Sequence, residues 1–242
     1  MNKNKRFNIS QINKYKNAGY LFHGSDVPDL KSIKPKDSGH NGEYVYATSD
    51  YAFAIIFSAK RGNTLITMVI RNEDGIPCLC ERVEGIFSRL YEGINSSVYI
   101  LDKKDFFHKE GMWENEFVSK EEVPVLEEIE IPDIKEALLE LEREDEFKLV
   151  EYKDRRKHFP HIDEDEIKDV HSLISKYGET RIHKTLEKWR PDLIDKIDWD
   201  ETVTEAKTEI SREEPRGILW NGGGWVEVRK KSSQDVNGEN MS

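Results

Sequence analysis

The chain has 242 residues, of which 35% are charged and 36% are hydrophobic. A chain of this length can bury a sizeable core, but the composition is lean for one compact globule, so we expect an apolar core region and a polar, largely helical remainder. The formal net charge of −11 disfavours non-specific binding to phosphate backbones and leaves only a local basic groove open as a nucleic-acid site.

The two cysteines, Cys78 and Cys80, are separated by one residue. On a strand their side chains share one face, and no further Cys or suitably spaced His supplies the remaining ligands of a zinc site, so we interpret both as strand residues. Residues 1–11 contain no apolar signal region, and no apolar run is long enough to cross a membrane. We therefore expect a soluble protein of the reducing cytoplasm, with no metal and no membrane partner.

The apolar residues are concentrated before about residue 132. Residues 50–62 predict a helix that is opened by Ser49 or Asp50 and closed near Gly62. Short segments rich in β-branched and aromatic residues, bounded by turn formers, predict strands. These segments are 19–24, 43–49, 64–71, 76–83, 96–102, 115–119 and 123–131.

After Pro132 the pattern changes to charged amphipathic helices over 133–145 and 163–197. Residues 217–230 predict two short strands around a glycine turn, and the tail predicts disorder. We therefore predict an α+β protein. Its predicted parts are a domain over 1–131, a mostly helical accessory region over 132–230 that ends in a β-hairpin, and a disordered tail over 231–242.

Two further motifs have plain structural interpretations. The glycine run at 222–224 lacks the Lys-Ser/Thr of a phosphate loop, so it predicts a turn. His158 and His161 stand beside acidic residues, but Pro160 intervenes and a helix start follows with Asp163 as its cap, which favours a helix terminus over a metal site.

Three residues could carry chemistry. His23 ends an apolar strand, and Tyr46 lies on the strand that precedes the predicted helix. Glu116 shares an apolar strand face with Val118, so its carboxylate must either form an ion pair or have a functional role. From the residues alone, a structural salt bridge and a functional carboxylate both remain open.

The segments "HG" at 23–24, "YVYAT" at 44–48 with the helix after it, and "NEFV" at 115–118 resemble the His-Tyr-Glu signature of the ADP-ribosyltransferase superfamily. They are similar to its diphtheria-toxin and poly(ADP-ribose) polymerase branch, over roughly residues 19–131. The resemblance implies a split β-sheet core with few helices and NAD as the substrate.

The resemblance also implies roles for individual residues. His23 would bond a hydroxyl of the adenosine ribose, and the main chain of Gly24 would hold the nicotinamide carboxamide, which would explain the missing side chain. Tyr46 would stack on the nicotinamide ring, and Phe57 falls on the position of a second stacking aromatic.

The sequence departs from the family at two positions of the predicted helix. The family serine that bonds the carboxamide falls on Ala54, so Thr48, Ser49 or Ser58 would have to substitute, and Ser49 is our candidate NAD-binding residue. Phe57 can stack but offers no hydroxyl group.

Glu116 would be the catalytic residue. A carboxylate that grips the ribose 2′-hydroxyl stabilises the positive charge that develops as nicotinamide leaves. Glu114, two residues earlier on the predicted strand, is the fallback.

The expected activity is therefore NAD-dependent transfer of ADP-ribose to an acceptor, which could be a protein, a nucleic acid or a small molecule, or hydrolysis when the acceptor is water. One alternative is a catalytically inactive domain of the same fold that binds NAD, a nucleotide or a partner. An RNA 2′-phosphotransferase ranks lower, because the arginines are few and scattered. The acidic helical region could contact a protein partner or form a solvated surface.

Overall fold

The protein is described by a computed structural model that covers residues 5–37, 42–59, 64–72, 74–197, 199, 218–220 and 225–227. The strands, in chain order, are β1 (Lys5–Arg6), β2 (Leu21–Ser25), β3 (Ser32–Ile33), β4 (Lys36–Asp37), β5 (Glu43–Thr48), β6 (Thr67–Arg71), β7 (Pro77–Glu81), β8 (Ser96–Leu101), β9 (Glu116–Ser119), β10 (Val123–Pro124), β11 (Glu127–Ile131), β12 (Lys148–Val150), β13 (Ile218–Trp220) and β14 (Trp225–Glu227).

The helices lie on both sides of the predicted boundary at residue 131. They are α1 (Ile9–Asn17), α2 (Tyr51–Phe57), α3 (Ile86–Tyr91), α4 (Ile134–Arg143), α5 (Arg155–His158), α6 (Ile162–Tyr177), α7 (Glu179–Trp189) and α8 (Pro191–Ile194). The prediction of a mixed α and β protein is therefore confirmed.

The predicted site lies in a seven-stranded sheet. Its strands follow the order β1–β11–β8–β2–β5–β4, and β9 pairs with β5. Within this sheet only β1 and β11 pair in parallel. A second sheet has the order β12–β7–β6, and two further strand pairs, β3–β10 and β13–β14, stand apart from both sheets.

Helix α2 packs on one face of the large sheet. The Asp50 side chain caps it by accepting the N–H of Ala52 at 3.1 Å, as the sequence predicts for this position. Residues 51–56 of the helix are all buried, because it lies between the sheet and α4. The helix ends at Phe57, earlier than the predicted end near Gly62, and Gly62 itself lies outside the described residues.

Strand alternation divides the core between the two faces of the large sheet. Phe22 and Ile100 belong to the largest hydrophobic cluster, together with residues of α2. Leu21 and Tyr99, their neighbours in sequence, belong to a smaller cluster on the opposite face. This period of two is the expected result of a sheet that is covered on both faces.

The largest cluster also continues past residue 131. It includes Leu138 of α4, Leu173 of α6 and Leu186 of α7, and β12 pairs with β7 of the first half. A buried ionic cluster adds polar contacts between the halves, because Arg82 pairs with Asp169 and Arg190 donates to the main-chain oxygen of Leu65. The division at residue 131 thus remains a prediction, and one core cluster runs across it.

Several local predictions are wrong. The segment 123–131 forms two strands, β10 and β11, and not one, and the elements without a counterpart in the prediction include α1, α3 and β12. Glu114 lies in a turn before β9 and not on the strand. The helix start near residue 163 has His161 at its cap position, so Asp163 lies inside the first turn.

The antiparallel pairing of β13 with β14 confirms the predicted hairpin strands, while the glycine run between them and the tail at 231–242 lie outside the described residues. Within the part of the chain that is described, none of the helices has both the length and the apolar character needed to span a bilayer.

Candidate active site

The three predicted motifs, which lie far apart in the sequence, occupy neighbouring strands. Phe22 of β2 pairs with Thr48 of β5, and Thr48 pairs in turn with Glu116 of β9. One row of residues therefore crosses the three strands, over a span of about 10 Å at the usual strand spacing. The fold brings His23, next to Phe22, and Glu116 to the same part of the sheet.

The imidazole of His23 hydrogen bonds the main chain of the neighbouring strand. Its Nδ1 lies 2.6 Å from the main-chain oxygen of Tyr46. Because a carbonyl oxygen only accepts, Nδ1 carries the proton, and Nε2 of the neutral ring is then an acceptor. Burial lowers the pKa of His23 below the usual 6.5, so the neutral ring prevails at neutral pH. His23 thus presents Nε2 as an acceptor for a hydroxyl group.

His23 and Glu116 do not contact each other through any hydrogen bond or ion pair of the described residues. Alternation along β2 places His23 with Leu21, whereas the row through Phe22 assigns Glu116 to the face that α2 covers. Strands β2 and β5 pair through a single residue pair, and the His23 ring lies against β5 beside it. A ligand that contacts both side chains would therefore span the point at which these two strands separate.

Gly24 allows β2 to pack closely against α2. A Cβ at Gly24 would lie 1.8 Å from the main-chain oxygen of Ala54, far inside contact distance. The packing of the helix, and not a bound carboxamide, therefore accounts for the missing side chain. Ala54 itself is only 3% exposed, so a serine at this position would face the core and not a ligand in solution.

Tyr46 and Phe57 are the two predicted stacking residues, and both are partly exposed. Tyr46 lies between buried neighbours on β5, and its ring contacts the ring of Tyr44 edge-on with centroids 6.1 Å apart. Phe57 ends α2 and stacks on Phe53, with centroids 5.9 Å apart and planes 4° apart. Both residues therefore keep some accessible surface, on elements that are joined directly in sequence.

Glu116 is the first residue of β9 and is partly exposed. Its carboxylate accepts the N–H of Trp113 at 3.3 Å, and no cation forms an ion pair with it among the described residues. Burial raises the pKa of Glu116 to about 7, although the Trp113 hydrogen bond and the charge of Arg71 act in the opposite direction. A carboxyl group with this pKa can hold or release a proton at neutral pH.

Ser49 lies beside Glu116, at the end of β5. Its N–H donates to the main-chain oxygen of Asn115 at 2.9 Å, which ties the end of β5 to the residue before Glu116. Ser49 is partly exposed, so its hydroxyl group is close to the candidate site. Ser58, the other predicted substitute on α2, is buried and bonds Ser96 at 2.8 Å.

Sequence reasoning did not place Arg71, the last residue of β6, near the candidate site. Its guanidinium lies 3.0 Å from the carboxylate of Asp50 and 4.5 Å from the ring centroid of Phe53. Phe53 contacts Trp113, with ring centroids 4.9 Å apart, and the N–H of Trp113 binds Glu116. The sequence shows an arginine after an apolar strand, but its place beside a distant carboxylate depends on tertiary contacts.

An open surface cavity of about 580 Å³ lies beside the candidate site. Its lining includes Lys34, Tyr44 and Lys120, but not His23 or Glu116. The cavity is therefore adjacent to the ring of Tyr44 and does not contain the predicted catalytic residues.

The described residues contain no group of three or more His, Cys, Asp or Glu side chains that could hold a metal ion. His161 lies 3.3 Å from Glu164 at the exposed start of α6. Cys78 and Cys80 are buried on β7, as predicted, and burial raises the pKa of their thiols to about 11 and about 12. Both are therefore thiols at neutral pH.

Comparison with protein-family models, with curated proteins and with solved structures finds no match to this chain.

Proposed function

We propose that this chain is an NAD-dependent ADP-ribosyltransferase with a split-sheet fold of that superfamily. The observation that supports this function best is the adjacency of β2, β5 and β9, which carry His23, Tyr46 and Glu116. Sequence order alone does not require these strands to be neighbours. The His-Tyr-Glu signature requires its three residues at one site, and the neighbouring strands bring them to one part of the sheet, with His23 on the face opposite Glu116 where β2 and β5 separate.

His23 binds the substrate as a hydrogen-bond acceptor in this proposal. Its Nδ1 is occupied by the main-chain oxygen of Tyr46, so Nε2 is the nitrogen left for a ribose hydroxyl group. The lowered pKa of His23 favours this neutral, accepting form. Tyr46 and Phe57, both partly exposed, supply the aromatic rings that stack on the nicotinamide ring.

Glu116 acts on the ribose next to the bond that breaks. Its carboxylate accepts a hydrogen bond from the 2′-hydroxyl and stabilises the oxocarbenium-like sugar. The bond between C1′ and the nicotinamide nitrogen breaks, and its electron pair stays on nicotinamide. The acceptor forms the new bond to C1′ and loses its proton to Glu116 or to water.

Two arginines that an RNA 2′-phosphotransferase could use are occupied by protein contacts. Arg71 pairs with Asp50, while Arg82 is only 2% exposed and pairs with Asp169. A phosphate contact would require each guanidinium to leave its carboxylate. This arrangement favours ADP-ribose transfer over RNA phosphate transfer.

The test combines calorimetric titration with NAD and an assay of nicotinamide release. The proteins are the wild type, His23→Ala, Glu116→Gln and, as a matched control, Glu114→Gln in the turn before β9. We expect the wild type to bind NAD and release nicotinamide, and His23→Ala to bind it more weakly. Glu116→Gln keeps binding and loses about 10²–10³-fold in turnover, whereas Glu114→Gln retains it.

Two outcomes would contradict this function. Binding of NAD without nicotinamide release favours the inactive binding domain of the same fold. If the folded wild type neither binds NAD nor releases nicotinamide, then NAD is not its ligand, and a partner-binding role becomes the better hypothesis.

A further inference from the structure

Arg71 is held in one position by contacts on three sides. Asp50 lies 3.0 Å from Nη1, and the same nitrogen donates to the main-chain oxygen of Gly75. The ring of Phe53 lies against the guanidinium, 4.5 Å from its carbon. The other terminal nitrogen, Nη2, is buried without a hydrogen-bond partner in the described residues. The side chain of Arg71 is only 22% exposed, so these contacts hold its positive charge largely inside the protein.

This fixed charge is connected to the Glu116 loop through aromatic contacts. Phe53 contacts both the guanidinium and the ring of Trp113, and the main-chain N–H of Trp113 donates to the Glu116 carboxylate. We propose that Arg71, anchored by Asp50 and Phe53, is a positioning residue that favours the ionised form of Glu116 for its action on the substrate ribose. The inference rests on the proposed function of Glu116, and the Asp50 partner limits how strongly Arg71 acts.

Other titratable and charged groups also lie on the elements around Glu116. The titratable and charged side chains on the surrounding elements are His23 on β2, Tyr46 on β5, Asp50 before α2, Arg71 on β6, and His108, Lys109, Glu110 and Glu114 before β9. Of these, the charge of Arg71 is the one that shifts the pKa of Glu116, and it opposes the effect of burial. His108 instead bonds the main-chain oxygen of Glu116 at 3.1 Å.

The arrangement predicts opposite effects for two substitutions. Arg71→Met removes the positive charge, so the pKa of Glu116 rises by on the order of one unit. Asp50→Asn removes the charge that neutralises Arg71, so the pKa of Glu116 falls. Asparagine caps a helix as well as aspartate does, so Asp50→Asn keeps α2 capped. A purely structural role for the pair would not shift the pKa in opposite directions.

The measurement is an NMR titration of the ¹³C-labelled side-chain carboxyl of Glu116 in the free protein, assigned with Glu116→Gln. Arg71→Lys serves as the conservative variant, because it keeps the charge and should keep most of the effect. The same variants are then assayed for nicotinamide release at a series of pH values. We expect the rate to rise with pH through the pKa of Glu116 that the titration gives for each variant.

An unchanged pKa in folded Arg71→Met, or shifts of the same sign in Arg71→Met and Asp50→Asn, overturns the inference. The titration needs no NAD, so it decides the role of Arg71 separately from the activity. If the wild type does not release nicotinamide, the proposed function fails while the carboxyl titration still reports on Arg71.

Discussion

Two glutamates, Glu116 in the candidate site and Glu166 in the helical region, lie in opposite electrostatic surroundings. Glu166 is 1% exposed on α6, and its two oxygens lie 2.6 Å from Arg190 and 3.8 Å from Arg82. Glu116 has one N–H donor at 3.3 Å and no ion-pair partner in the described residues. The charge of Glu166 is thus balanced by two arginines, while the carboxyl group of Glu116 is not engaged in an ion pair with any described residue.

The difference separates a structural charge from a candidate functional one. Arg82 also pairs with Asp169, and Arg190 with Asp192, so the Glu166 cluster holds its charges in mutual contact. Buried ion pairs of this kind link packed elements without offering a reactive group. A partly buried carboxyl group with a pKa raised to about 7 and no ion pair is typical of an active site.

The largest expected effect is a loss of stability in the helical region. Glu166→Ala leaves the buried guanidinium groups of Arg82 and Arg190 without their shared carboxylate, so we expect a loss of about 3–5 kcal/mol in the free energy of unfolding. Glu164→Ala on the same helix is the control, since Glu164 is exposed. Chemical denaturation measures both variants. Equal stability of the two variants would show that the cluster is not a structural link.

The second effect tests how tightly the site region is packed. Gly24→Ala places a methyl group against the main chain of Ala54, and overpacking of this kind costs about 1–3 kcal/mol. Ser25→Ala, one residue further along β2, adds no volume and should change the thermal midpoint little. A Gly24→Ala protein as stable as the wild type would contradict the close approach of β2 and α2.

The third effect is a gain in stability, whereas the first two substitutions lower it. The pKa of Glu116 is about 7 in the folded protein, above its usual 4.5, so between these values the folded state holds a proton that the unfolded state has lost. Stability contributed by the protonated carboxyl group is therefore lost as the pH rises from about 4.5 through 7. Glu116→Gln removes this loss, so above pH 7 we expect a gain of about 1–3 kcal/mol, from denaturation at several pH values. A loss at pH 8 would indicate that Glu116 is a structural residue.

Local sequence signals predicted the elements that carry the site. The alternation along 44–48 and the Asp50 cap follow from strand period and hydrogen-bonding chemistry, and both appear in the structure, because Val45 and Ala47 pack in one cluster and Tyr44 and Tyr46 in another. Helix α1 was missed because its apolar positions, such as Ile9 and Ile12, are separated by Lys, Asn and Gln residues. Three-residue β12 was missed because it is stabilised by its pairing with β7 and not by its own sequence.

The surroundings of the site residues required the tertiary structure. Glu114 lies in a turn that the Glu116 N–H closes by donating to the main-chain oxygen of Trp113, and the hydrogen bond from Ser49 to Asn115 ties this turn to the end of β5. In the same way, the approach of Ala54 to Gly24 and the stacking of Arg71 on Phe53 join residues from different elements. Sequence patterns predict which residue types are present, whereas packing decides what each one contacts.

The most direct test of the account is NMR observation of the His23, Glu116 and Glu166 side chains during titration with NAD. We predict that the His23 imidazole and the Glu116 carboxyl signals shift together, with one shared dependence on NAD concentration, while the Glu166 carboxyl signal stays in place. If saturating NAD leaves His23 and Glu116 unchanged in the folded protein, then β2, β5 and β9 do not form an NAD site, and the account is contradicted.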